Sequence, residues 1–248
     1  MKSLPILTAL ALCVSPSLPA EEQVLFDGES LTGWDGDPKF WTVKDGSLTG
    51  TTTKENPTAG NTFLIYTGDH ENHEPVEFSD FVLTLTFRIA GHNSGIQYRS
   101  FRLEDGVDRW RVGGYQSDFD AAGNWAGTNY GEKFRGILAK RGEKATITGS
   151  EEVIHKKKGT KRLSALREVE ALGAPDALAQ EVKPYPAWNT MEIRAQGNQL
   201  TQMINGVTMS EVTDDDAANR RSSGLIAIQL HGGPPMEVQV KEVTIKTL

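Results

Sequence analysis

Nine consecutive residues alternate without a break: Phe81, Leu83, Leu85, Phe87 and Ile89 on one parity, Val82, Thr84, Thr86 and Arg88 on the other. An extended chain sends successive side chains to opposite faces, so this run is a half-buried β-strand. A strand must pair, and the chain supplies partners. Asp45-Gly46 joins short apolar runs at 40–43 and 47–50, and Asn205-Gly206 joins runs at 199–204 and 207–212, both good hairpin signals. Further strands are expected at 61–67, 189–195, 224–231 and 236–247. Leu225-Ile226-Ala227-Ile228-Gln229-Leu230-His231 begins apolar on both faces, which predicts a central strand with Gln229 and His231 sharing a face at its polar end. Between Val240 and Val243 the alternation slips by one residue, which predicts a β-bulge. One short helix is expected at 164–172, from Ser164 as cap, Leu166, Val169 and Leu172 at helical spacing, and Gly173-Ala174-Pro175 as its end. The pattern is that of an all-β sandwich forming a single domain over residues 21–248.

The stretch 93–120 gives that sandwich a polar surface. In Asn93-Ser94-Gly95-Ile96-Gln97-Tyr98-Arg99 the residues Gly95, Gln97 and Arg99 share one face; in Tyr115-Gln116-Ser117-Asp118-Phe119-Asp120 the residues Gln116, Asp118 and Asp120 do. Buried polar groups are costly unless paired or used. Arg99 pairing with Asp118 across the hairpin weighs about equally with a role toward a ligand, and Asn93 and Gly95 serve either the site or only the strand's geometry. The glycine-rich segment 123–138, with Trp125, Glu132 and Arg135, is expected to be a long loop acting as rim or lid. Gln97, Arg99, Gln116, Asp118, Gln229 and His231 are therefore expected to line one concave sheet face, with Glu132 and Arg135 reaching over it. A register error of one residue would invert the assignment.

Residues 1–20 read as a secretory leader: Lys2, an apolar run from Leu4 to Val14, then small residues before Glu21, with cleavage after Ser17 or Ala20. The expected location is secreted or periplasmic. Cys13, the only cysteine, falls within the leader, and Leu12 before it is bulkier than lipid-attachment processing wants; the mature chain has no disulfide, thiol nucleophile or thiolate ligands. A net charge of −7 argues against nucleic acid and anionic membrane as partners, and no later segment is apolar enough to span a membrane. Phosphate loops, dinucleotide fingerprints, a Gly-x-Ser-x-Gly elbow and Glu-x-Asp-x-x-Glu strands are all missing. The cluster at 69–74 spaces His70 and His73 three apart rather than four and reads as a solvated loop, with metal ligation the minor alternative. Residues 151–162 read as a lysine-rich edge strand, and Thr213-Asp214-Asp215-Asp216 as a solvated turn.

Leu25-Phe26-Asp27-Gly28 with Gly33-Trp34, Asn93 through Arg99, Gly114-Tyr115-Gln116-Ser117-Asp118, Trp188-Asn189, Asn205-Gly206 and Gly224 through Gly232 occur in that order. As a set they resemble the 3-keto-disaccharide hydrolase family from about Val24 to the end. The resemblance implies a concanavalin-like jelly-roll sandwich in secreted bacterial proteins, and lyase or hydratase action on 3-keto-glycosides. Leu230 departs from it, standing where many members carry an acidic residue, and 140–180 matches it poorly. A ketone at C3 acidifies the C2 proton, so a general base can remove it while the glycosidic oxygen leaves C1. His231, Asp118 and Glu132 are the candidate base and acid. Arg99, Gln97 and Gln229 are candidates to hold enolate and hydroxyls, with Asn93, Gln116 and Arg135 as further substrate contacts. Trp110, Tyr115, Trp125 and Trp188 offer flat faces for a sugar, although Trp34, Trp41 and Trp110 suit a core better. The expected partner is a small saccharide. No cofactor is assigned, and a divalent metal ion is left open. The alternative is a non-catalytic carbohydrate-binding module, and a structural or adhesive surface protein is weaker still.

Overall fold

The structure, a computed structural model, describes residues 22–68, 75–104, 106–154 and 159–248. The expected leader with Cys13, the cluster at 69–74 and the lysines at 156–158 lie outside them. First come β1 (Glu22–Val24), β2 (Trp34–Asp35), β3 (Trp41–Lys44), β4 (Ser47–Thr52) and β5 (Thr62–Tyr66). Next are β6 (Phe81–Ala90), β7 (Asn93–Arg102), β8 (Val112–Asp120), β9 (Asn129–Glu132) and β10 (Gly136–Ala139). Then follow β11 (Glu143–Ile154), β12 (Lys161–Ala171), α1 (Pro175–Gln180), β13 (Asn189–Gln196), β14 (Gln199–Ile204), β15 (Val207–Asp214), β16 (Leu225–Leu230) and β17 (Met236–Thr247).

The strands form two sheets, one ordered β12-β11-β15-β14-β13-β6-β17-β4-β3 with β1 beside β17, the other β10-β9-β8-β7-β16-β5-β2. Pairing is antiparallel except between β11 and β15. Alternation decides what lies between the sheets. The apolar parity of β6 meets Ile96, Tyr98, Phe119, Ile228 and Leu230 of the other sheet in one buried cluster. Phe87 and Phe119 approach to 4.2 Å between ring centroids, and Phe81 meets Tyr98 edge to face at 6.4 Å. Each such fully buried side chain contributes roughly 1.5–3 kcal/mol. Because Leu230 points into this core, its strand offers the opposite surface Leu225, Ala227, Gln229 and the residue after its end, His231, of which only the last two are polar.

Three expectations are corrected. Residues 164–172 are not a helix: Lys161–Ala171 is a strand paired along its length with β11. Leu166 and Val169 stay exposed, so the helical spacing had no core to face, whereas the ladder satisfies the backbone of both strands. Pro175 opens the short helix instead of following one, occupying its first turn where the missing N–H costs nothing. The segment 123–138 is not one long loop, since β9 and β10 extend the second sheet within it. The solvated turn at 213–216 is likewise replaced by buried Asp214 and Asp216. The slip in β17 is present between Lys241 and Thr244, with Glu242 at φ +53°.

Candidate functional site

Register assembles the site. Gln97 lies opposite Gln116 on one side and Ala227 on the other, Gly95 is opposite Asp118, Gln116 opposite Tyr130, and Gly114 opposite Glu132. Gln97, Gln116, Asp118, Gln229, Tyr130 and Glu132 thus share the face turned away from the core. Their amides bond to one another. Gln97 Nε2 donates to Gln116 Oε1 at 2.5 Å, Gln229 Nε2 donates to the same oxygen at 3.1 Å, and Gln116 Nε2 donates to Asp118 Oδ1 at 2.5 Å. Gly95 leaves room for this: a Cβ there would sit 2.6 Å from Gln116 Cγ.

The face is concave. Asn61, the residue before β5, donates from Nδ2 to Glu132 Oε1 at 3.2 Å, although β5 and β9 stand four places apart in the sheet. A flat sheet would separate them by about 19 Å, so this one curves enough for the Asn61 side chain to reach across the hollow to Glu132. Asn61 Oδ1 also accepts from the Gly232 amide, which ties Glu132 to the strand end bearing His231. The hollow is a cavity of about 660 Å³ lined by Asn93, Gln116, Asp118, Glu132, Gln229 and His231, with Trp125 at its rim. Asp120 holds that rim, its carboxylate accepting from the backbone N–H groups of Asn124, Trp125 and Ala126.

Burial shifts the titratable groups in opposite directions. It pushes the Asp118 carboxyl well above the usual range, against the lowering effect of the Gln116 bond and with the negative charges of Glu132 and Asp120 adding to the rise. It raises Glu132 too, with Lys133, Asn61 and Arg111 opposing. His231 is lowered by burial and by neighbouring His92, whose ring centroid is 4.4 Å away, while the Gly232 carbonyl opposes. Nδ1 of His231 lies 2.7 Å from that carbonyl, which can only accept, so Nδ1 carries the proton and Nε2 of the neutral ring holds a free lone pair.

Five candidate site residues lie elsewhere. A bulge between Tyr98 and Phe101, with Arg99 at φ +43°, breaks the parity of β7. Ser100 faces the site in place of Arg99 and donates to Gln97 Oε1 at 2.5 Å. Arg99 instead donates to the carbonyls of Ser79, Gly197 and Arg221 and pairs with Asp80 at 2.8 Å, not with Asp118. Tyr115 and Arg135 are buried on the core side, where Arg135 binds Asp214 and Asp216 and the Tyr115 hydroxyl donates to Asp214 at 2.5 Å. Trp188 lies on the outer face of the first sheet under Arg88 and Lys241. Trp110 is half-buried and donates to Asp35. Sequence reasoning missed Asn61, His92 and Tyr130; the even-numbered pattern of β8 predicts nothing about them, because His92 and Tyr130 join the cavity, and Asn61 reaches Glu132, from other segments. Among the described residues no group of three or more His, Cys, Asp or Glu side chains could hold a metal ion.

The sequence profile of the 3-keto-alpha-glucoside-1,2-lyase-like domain matches residues 21–246. The chain belongs to this family. No curated protein matches the family member described here. Among solved structures it is similar to a Parabacteroides distasonis ATCC 8503 protein provisionally described as a glycosyl hydrolase, at TM-score 0.54 and 16% identity over 92% of this chain and 94% of that one. A second such structure from that organism has TM-score 0.51 and 16% identity over 92% and 100%. The carbohydrate binding module CBM66 from Bacillus subtilis has TM-score 0.50 and 13% identity over 87% and 96%. At these identities the likeness is one of fold, a concanavalin-like jelly-roll sandwich.

Proposed function

We propose that this family member cleaves 3-keto-glycosides by β-elimination. One observation carries the reading: a neutral imidazole with a free Nε2 and two carboxyls raised by burial converge on a cavity sized for a sugar ring. His231 Nε2 takes the C2 proton, which the C3 ketone acidifies. The electron pair forms the C1–C2 double bond as the bond from C1 to the glycosidic oxygen breaks, and Asp118 or Glu132 gives that oxygen its proton. The amides of Gln116 and Gln229, which line the cavity and are braced from behind by buried Gln97, receive the ketone and ring hydroxyls. Adding water to the enone completes a net hydrolysis.

Purified protein supplied with a 3-keto-glucoside should release the aglycone and the enone detected by mass spectrometry, leaving the unoxidised glucoside intact. Absence of release from several 3-keto-glycosides, with and without divalent metal ions, would overturn the reading. A non-catalytic sugar-binding role is the second reading, favoured by Trp125, which presents an exposed ring at the cavity rim. It predicts that Asp118→Asn alters affinity for a saccharide with no reaction to lose.

A further inference from the structure

A second cavity of about 910 Å³ continues from the first, the two sharing Tyr130, Glu132 and His231. Its character differs. Arg111, Lys133, Lys161 and Arg162 line it, and Glu132 is the one carboxylate among its lining residues. Lys161 is engaged by Glu152 at 2.7 Å; Lys133 and Arg111 lie close enough to oppose the rise of the Glu132 carboxyl, and Arg162 is close enough to act on the Tyr130 hydroxyl. A cationic cleft on a chain of net charge −7 runs against the molecule's overall field and concentrates anions locally.

The position of Lys133 is built into the fold. Its neighbours Glu132 and Arg135 are both buried, Phe134 packs edge-on against Phe101 and Tyr115, and Lys133 itself is held at φ +48° between them. An unfavourable backbone conformation for a non-glycine residue persists where its surroundings determine it. The turn thus fixes a cation beside the carboxyl at the junction of the two cavities.

We propose that the second cavity receives the aglycone and that the preferred aglycone is anionic, a saccharide bearing a carboxylate or a sulfate ester. This rests on the elimination reading for the direction of the substrate: with the 3-keto ring in the first cavity, the group beyond the breaking C1–O bond enters the second. The planar guanidinium group of Arg162, at an exposed position of the lining, suits bidentate recognition of either anion.

The test compares 3-keto-glycosides whose aglycones are glucose, glucuronate and glucose 6-sulfate. The acidic aglycones should show a KM lower by about 10-fold, a preference that fades at high salt. Lys133→Gln combined with Arg162→Gln, both at exposed positions, should remove the preference, raising KM for the acidic aglycones about 10-fold more than for the glucose compound. The glucuronate and sulfate arms separate the two anions. Equal KM for neutral and acidic aglycones, or an equal loss on all three in the double variant, would overturn the proposal while leaving the elimination intact. If no substrate is turned over, calorimetry with the unoxidised disaccharides still decides. Tighter binding of the acidic sugar, abolished in the double variant, supports the cleft when elimination fails, and equal binding overturns both.

Discussion

At the scale of single residues, burial sets protonation and protonation sets the chemistry. His231 must be neutral to accept a proton, so turnover should rise with pH through a midpoint below the ordinary 6.5. The carboxyl donor must be protonated, so turnover should fall again as pH passes its raised midpoint. The pH dependence of kcat/KM should therefore be bell-shaped, rising with the deprotonation of His231 and falling with that of the carboxyl donor; a flat profile would contradict the assignment. Asp118 also carries a stability signature. With its folded pKa raised, the native state favours the protonated form, and stability is lost as pH climbs from the unfolded value through the folded one. Asp118→Asn should thus raise Tm at pH 7 relative to the parent while lowering kcat on the order of 10²–10⁴-fold. Arg99→Ala should do the reverse. Removing a buried guanidinium that bonds three carbonyls and Asp80 should lower the unfolding free energy by about 3 kcal/mol in urea titration, with kcat of the folded fraction retained.

At the scale of elements, strand register builds the site and a bulge edits it. Gly95 faces Asp118 across the β7–β8 pair, and the space it leaves is filled by the Gln116 side chain. Gly95→Ala should push Gln116 off its bonds to Gln97 and Asp118, lowering kcat/KM at least about 10-fold while costing about 1–2 kcal/mol of stability. Unchanged kinetics in a folded variant would mean that the amide network does not serve the reaction. The bulge is enforced from both sides, since a Cβ at Gly114 would lie 2.6 Å from Ser100 Cα and one at Gly224 would lie 2.3 Å from the Ser100 carbonyl oxygen. Backbone crowds both positions. Replacing either glycine cannot be absorbed by a side-chain rotation.

At the scale of the whole molecule, the hollow exists because the second sheet is curved. The bond from Asn61 to Glu132 spans that hollow, and the same side chain fastens the Gly232 amide. Asn61→Ala should cost only about 1–2 kcal/mol in denaturant unfolding yet reduce kcat/KM well beyond that, because Glu132 loses its fixed position relative to His231. Equal kinetics in Asn61→Ala would show that the curl holds without this bond.

The alternation of residues 81–89, the two glycine turns and the slip in β17 were legible because strand period and turn chemistry are local properties. Parity likewise brought Gln97, Gln116, Asp118 and Gln229 onto one face before any coordinates were needed. Parity failed at Arg99, where a bulge enforced by Gly114 and Gly224, one close in sequence and one far from it, reversed the remaining residues of β7. It could not place Tyr115 and Arg135 with Asp214, which lies 99 and 79 residues away in the chain. Helical spacing at 164–172 misled because pairing with β11 satisfied the backbone without burying Leu166 or Val169. The sequence by itself determined strands, turns and the polar parity of the site. Only the tertiary structure decided which carboxyls were buried enough to hold a proton and that Asn61 reaches Glu132 across a hollow, because desolvation and sheet curvature arise from contacts between segments that no local pattern contains.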